Sequence, residues 1–392
     1  MNRLFEKYPW LTNRNFLAGL YLLLVLGVTI QRMMLGAASY NNYLIFRWSF
    51  INLVDHVDLY SLHPSQHFDL FKYSPTFAFL MAPFSLFPDW LGIFLWNLVN
   101  AGVLFWAVNK LSVDGKARAF VLLFVAFDLL GALQNSQSNV LMAGLMIGAF
   151  AMFEKEKPVA AALLICLGFY VKLFAAVVGL LFLFYNKKGK FLIACVVWGI
   201  LLGILPALVS GFDGLILQYK SWLHLLANDP AHELNYSLMT LTQRWFHFTA
   251  PDSVYLVPGI LLLLLPLARR REWNHFNFRL VYLASMLVWV VIFNHKAESP
   301  TFIVATCGVA LWGISEAKSW KQTALLWFVF LFTSLSATDL FPPYVREHFI
   351  KPYCIKALPC IVLWFVMIFE LLRKRYTRDQ RIGATVEKVE SV

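Results

Sequence analysis

An all-α polytopic membrane protein is the fold class that two observations on this chain predict. Of 392 residues, 60% are hydrophobic and 14% charged, which leaves too little polar surface to solvate a globule of this size. The apolar residues also fall in continuous runs near the roughly 20 residues needed to cross a bilayer. They lack the alternation of a membrane β-barrel, so helices are expected. The net charge of +11 is held in short clusters beside the runs: Lys187, Lys188 and Lys190; Arg269, Arg270 and Arg271; Arg373, Lys374, Arg375 and Arg378. Such flanking clusters set membrane orientation and exclude nucleic acid as a partner.

The first expected helix is the run 16–34, which follows Arg3, Lys7 and Arg14. It is long and no small-residue cleavage site follows it, so it is expected to stay as a membrane helix. With the basic clusters cytoplasmic, residues 37–73 form an outer loop. Its aromatics, Tyr40 to Tyr73 among polar residues, predict short interfacial helices. The same loop holds Asp55, His56, Asp58, His63, His67 and Asp69, which anchoring does not explain. From 74 to 186 the apolar pieces are short, broken by Pro83, Pro88, Asp89, Asp114 and Asp128 and by a polar belt at 134–139.

The run 159–185 carries one charge, Lys172, at its middle, where an unpaired ammonium costs about 2.5–3.5 kcal/mol. Either the helix breaks there and opens Lys172 to an outer cavity, or Lys172 pairs with Asp128. Runs at 191–209, 254–268, 278–293, 323–337 and 360–372 follow, separated by outer segments at 211–252, 294–300 and 338–358. About ten to thirteen crossings are expected, in one transmembrane domain over 1–376. The tail 377–392 is expected to be solvated and disordered, and both termini cytoplasmic. Cys166, Cys195, Cys307, Cys354 and Cys360 lack metal-ligand spacing and are expected as reduced thiols. No internal repeat is evident, which weighs against inverted-repeat transporters.

Four short patterns recur in a telling order. Asn42, Tyr43 and Phe46 precede Leu59-Tyr60 and then Tyr73-Ser74-Pro75, with Pro83 and Pro88 beyond; Ser136-Gln137-Ser138-Asn139 follows; then Lys172-Leu173-Phe174-Ala175; then Asn235-Tyr236-Ser237-Leu238. Over residues 15–310 this resembles bacterial glycosyltransferase family 87, which includes polyprenol-phosphate-mannose-dependent mannosyltransferases. The resemblance implies a GT-C-like bundle in the bacterial cytoplasmic membrane. It also implies transfer of a hexose, such as mannose, from a polyprenyl-phosphate donor to a glycolipid or glycan acceptor, with inversion at the anomeric carbon. Two positions depart from the family pattern. Ala175 replaces a proline, which alters a kink. Asn42 replaces the loop aspartate thought to act as base, and an amide cannot take a proton.

That chemistry needs a carboxylate for the acceptor hydroxyl and cations for the departing phosphate. The candidate catalytic residues are Asp58 and Asp55 in the first loop and, in the turn 294–300 that also holds Lys296, Glu298 and His295; the carboxylates are the candidate bases. The candidate phosphate ligands are Lys172, Lys296, Arg47 and Lys72. For sugar or acceptor the candidates are Asn42, Tyr43, Tyr60, Tyr73, Gln137, Asn139, Asn235 and Ser237, since hydroxyl-rich ligands need amide and hydroxyl partners. No metal ligands are assigned and no cofactor is required, although a divalent cation is compatible with the reaction. Intramembrane Lys172 and Asp128 would equally suit a lipid-linked sugar flippase, and Asn42 a non-catalytic relative that binds lipid-linked sugar.

Overall fold

The computed structural model describes residues 2–228 and 235–376, and among them every regular element is a helix. The expected tail at 377–392, and residues 229–234 of the segment 211–252, lie outside the described residues. After a short helix at Asn2–Lys7, the first long helix, α1 (Arg14–Leu35), starts where Oδ1 of Asn13 accepts from the amides of Asn15 and Phe16 at 2.8 and 3.2 Å. The first loop contains α2 (Asn41–Val54) and, after an irregular stretch, leads into α3 (Pro75–Leu80). Next come α4 (Asp89–Lys110), α5 (Gly115–Phe124), α6 (Ala126–Gln134) and α7 (Asn139–Glu154).

The apolar run 159–185 is not one crossing. It divides into α8 (Pro158–Val171) and a 3-10 helix (Leu173–Phe184), with Lys172 extended between them at φ −146° and ψ 122°. The two pieces pack against each other as a hairpin. Pro158 shares a small pocket with Phe182 and Phe184 at one end. At the other end, a Cβ on Gly168 would lie 2.7 Å from that of Ala175, so only glycine allows the strands of the hairpin to close beside Lys172. The physical reason is the charge. An extended residue at a turn brings the ammonium to the end of the hairpin, where an unbroken helix would hold it in hydrocarbon.

Beyond the hairpin, α9 (Lys188–Ile204) meets α10 (Ala207–Asn228) at 93°, and Gly211 inside α10 has φ +66°, a conformation glycine adopts without strain. Past this bend α10 buries Leu215, Gln218 and Trp222 and exposes Phe212, Ile216 and Leu217, so it is an amphipathic helix where a loop was expected. Then come α11 (Leu238–Phe246), α12 (Ser253–Leu264), α13 (Phe276–Ile292), α14 (Phe302–Ser315), α15 (Trp320–Val329), continued by a π-helical stretch at Phe330–Leu335, and α16 (Leu358–Arg373).

Helices α13 and α14 are apolar over nearly their whole length, Arg279 near the start of α13 excepted, and form the centre, α14 being buried at every residue. Helix α9 is as apolar, yet Leu192, Ile193, Val196, Val197 and Ile200 are each about half exposed or more. A solvent-facing surface of that kind fits lipid, not water. By length and composition α1 and α4, of 22 residues each, suffice to cross a membrane. The bent pairs α5–α6 and α9–α10 raise the number to four, and six shorter apolar helices accompany them.

The basic clusters converge at one end of the bundle. Lys188 and Arg270 both lie 5.9 Å from the Trp273 ring, and Arg269 donates to the carbonyls of Leu371 and Lys374 at 2.7 Å each. Arg279 grips Glu154 there with two bonds of 2.6 and 2.8 Å. The starts of α7 and α13–α14 turn at the other end hold the features described next.

Candidate active site

Three of the short sequence patterns become the walls of one cavity. In Tyr73-Ser74-Pro75, Ser74 caps α3 by accepting from the Phe77 amide at 3.2 Å, with Pro75 at the first helical position. The Ser74 hydroxyl also donates to the Tyr170 carbonyl near the tip of the hairpin. Tyr60 donates from its hydroxyl to the Tyr73 carbonyl at 2.9 Å. Tyr73 is thereby fixed beside Lys172, whose Nζ stands 5.7 Å from its ring centroid. Burial raises the Tyr73 phenol above its ordinary range, so it remains a hydroxyl.

The pattern 136–139 links a cation to a carboxylate. Ser136 adopts φ +49°, unusual for a residue with a side chain, and its carbonyl accepts from Trp96 Nε1 at 2.8 Å. The strained turn aims the next residues along the cavity. Lys172 Nζ donates to Asn139 Oδ1 at 2.7 Å, Asn139 Nδ2 to Gln137 Oε1 at 2.5 Å, and Gln137 Nε2 to Glu298 Oε2 at 2.6 Å. Two amides thus connect Lys172 to Glu298 without a direct contact.

Glu298 stands in the turn after α13. That turn is closed by Asn294 Oδ1 accepting from the Lys296 amide at 2.9 Å, and by the Ala297 carbonyl accepting from the Tyr236 amide at 2.8 Å. His295 Nδ1 lies 2.6 Å from Asp252 Oδ2. The cavity is about 680 Å³, within the range of small-molecule sites. Its polar wall contains Asn42, Lys72, Tyr73, Gln137, Lys172, His295, Lys296 and Glu298, with Asp69 added. Apolar side chains complete the lining, among them Phe174, Leu226, Leu256, Trp289, Val290 and Phe293.

Of the remaining candidates, all but Asn42 stand apart from this lining. Asp58 serves its own loop, accepting from Ser61 Oγ at 2.6 Å and from the Tyr60 amide at 3.4 Å, and Asp55 is exposed at the end of α2. Arg47 pairs with Asp89 at 2.8 Å. Tyr43 is buried and donates to the Phe84 carbonyl at 2.9 Å. Asn235 and Ser237 form a buried cap, in which Ser237 accepts from the Thr240 amide at 3.2 Å and donates to Asn235 Oδ1 at 3.0 Å. Asn139 is buried behind the wall and reaches ligands only through Lys172 and Gln137. Asn42 lines the wall and donates to the Asn135 carbonyl at 2.9 Å.

Of the two alternatives for Lys172, the hairpin break is found. Asp128 lies instead 4.0 Å from Lys356, both deeply buried. Sequence reasoning did not select Asp69 or Asp252. Asp69 stands four residues before Tyr73 in the loop whose His and Asp residues anchoring does not explain, but nothing in the sequence gave it a role. Neighbouring His67 is buried, which holds its imidazole below the ordinary range against the pull of Asp69; it is neutral at pH 7 and supplies no charge to the wall.

Among the described residues no three His, Cys, Asp or Glu side chains are grouped to hold a metal ion, so no step is assigned to a divalent cation. All five cysteines are free thiols. The family model of glycosyltransferase family 87 matches residues 71–294, more than half of the chain. No curated protein matches it.

Proposed function

The chain belongs to glycosyltransferase family 87, and from that membership we propose that it moves a hexose, such as mannose, from a polyprenyl-phosphate donor to an acceptor hydroxyl. The observation that carries this is the mixed lining of the cavity, to which Lys172 and Glu298 contribute beside apolar side chains such as Leu226, Leu256 and Trp289. A lipid phosphate needs both kinds of lining: a cation for the headgroup and apolar surface for the first isoprene units.

In this reading the donor phosphate lies at Lys172, with Lys72 and Lys296 adding positive charge, and its sugar rests against Tyr73, Gln137 and Asn42. The acceptor oxygen attacks the anomeric carbon opposite the phosphate. The new C–O bond forms as the bond to phosphate breaks, Glu298 takes the hydroxyl proton, and the configuration inverts. Lys172 stabilises the charge that grows on the leaving phosphate. Gln137 and Asn139 keep Glu298 and Lys172 in fixed relation, which favours the attack geometry. Glu298, not Asp58, is the base we favour, because it lines the cavity; Asn42 at the family's aspartate position leaves that role vacant.

The basic end of the bundle supports a cytoplasmic orientation for it, with the cavity at the outer face of a bacterial cytoplasmic membrane. The two long helices, the two bent pairs and the six shorter apolar helices are the segments from which a GT-C-like bundle of ten to thirteen crossings would be made. The test is a transfer assay on purified protein in lipid, following polyprenyl phosphate released from a panel of polyprenyl-phosphate sugars. Release that requires an acceptor and Lys172 supports the reading. Transport of intact donor across sealed vesicles, with no release, refutes it in favour of a flippase.

A further inference from the structure

Asp252 precedes α12 at the position from which an aspartate ordinarily caps a helix, yet its side chain makes no cap bond. Its Oδ2 lies instead 2.6 Å from Nδ1 of His295, and His295 is part of the cavity wall. The side chains are 44% and 36% exposed, so the pair adds little to stability. What it fixes is the imidazole. A carboxylate at Nδ1 keeps the ring proton there and leaves Nε2 with its lone pair for a ligand.

The cavity therefore has two polar stations on one turn. Glu298 is tied through Gln137 and Asn139 to Lys172, the donor side. His295, three residues earlier, is tied to α12, which supplies Leu256 to the apolar lining. Resting on the glycosyltransferase reading above, we propose that Asp252 is a positioning residue that holds His295 as the ligand of the acceptor. Nε2 accepts a hydrogen bond from a second hydroxyl of a sugar or polyol acceptor and presents the reacting hydroxyl to Glu298.

The test separates the two substrates. With full-length protein in lipid, polyprenyl-phosphate mannose as donor and octyl mannoside as acceptor, KM is measured for each. Asp252→Ala and His295→Ala are each expected to raise the acceptor KM about tenfold with the donor KM unchanged. The double variant should be no worse than either single one, because coupled residues act as a unit. Asp252→Glu, which keeps a carboxylate, should restore part of the loss. An unchanged acceptor KM, a parallel rise in both KM values, or additive losses would overturn the role of the pair alone. A parent protein that releases no polyprenyl phosphate overturns the transferase reading, and this inference with it.

Discussion

Lys172 is the residue on which chemistry and folding meet, and its replacement has a definite expected size. Lys172→Ala should lower kcat about 10²–10³-fold, the loss typical of one electrostatic donor aimed at developing charge. Glu298→Gln should lower it about 10²–10⁴-fold, as for a lost general base, with release of polyprenyl phosphate as the readout for both. Asp58→Ala should stay within a few-fold of the parent in that assay while losing about 1 kcal/mol of stability, visible as a lower melting temperature in detergent. A large activity loss at Asp58 would return the base to the first loop. Lys172 was legible in the sequence because a single charge in an apolar run is costly unless it meets a partner or a polar cavity. Glu298 was legible because His, Lys and Glu crowd one short turn between apolar runs. Asp69 and Asp252 were not, since an aspartate in a polar loop has many uses and only the fold decides among them.

At the scale of elements, the turn 136–139 does the most with the least chain. Ser136 is held at φ +49°, so Ser136→Gly should preserve stability and activity, whereas Ser136→Val should cost about 1–3 kcal/mol and pull Gln137 from Glu298, lowering transfer as well as the melting temperature. Equal effects of the two variants would show that the backbone there is unstrained. The pattern 235–238 has a different use. Ser237→Ala should cost about 1 kcal/mol as a lost cap with the donor KM unmoved, because Ser237 lies off the cavity wall. Continuous apolar runs located α1, α9, α12, α13, α15 and α16, because such runs have few other outcomes in a membrane, but no expected run marked the buried α14. The division of 159–185 was legible only as one of two readings and only from the charge of Lys172, since hydropathy counts residues and does not report where a chain reverses. The bend at Gly211 was missed for a related reason: α10 is amphipathic and mixes polar with apolar residues as a loop does.

For the molecule as a whole, the ion pair of Asp128 and Lys356 joins α6 to the turn before α16 in the bundle interior. Removing one partner strands a buried charge, so Lys356→Met should cost about 3–5 kcal/mol. Asp128→Asn combined with Lys356→Met should recover most of it, a comparison made by thermal unfolding in detergent; a double variant no better than the single would mean that the pair is not coupled. The pair was not foreseen because the two residues are far apart in sequence, and the end of the chain reads only as a helix with a basic tail. The hairpin tipped by Lys172 has a last consequence, for biogenesis. Its two arms, of 14 and 12 residues, are each shorter than the roughly 20 residues of a full span and pack against each other. Inserted into a bilayer, they would enter as a folded pair with one ammonium at its tip. The insertion penalty of about 2.5–3.5 kcal/mol for that charge would then be spread over two apolar arms, and the charged group would never have to be threaded alone.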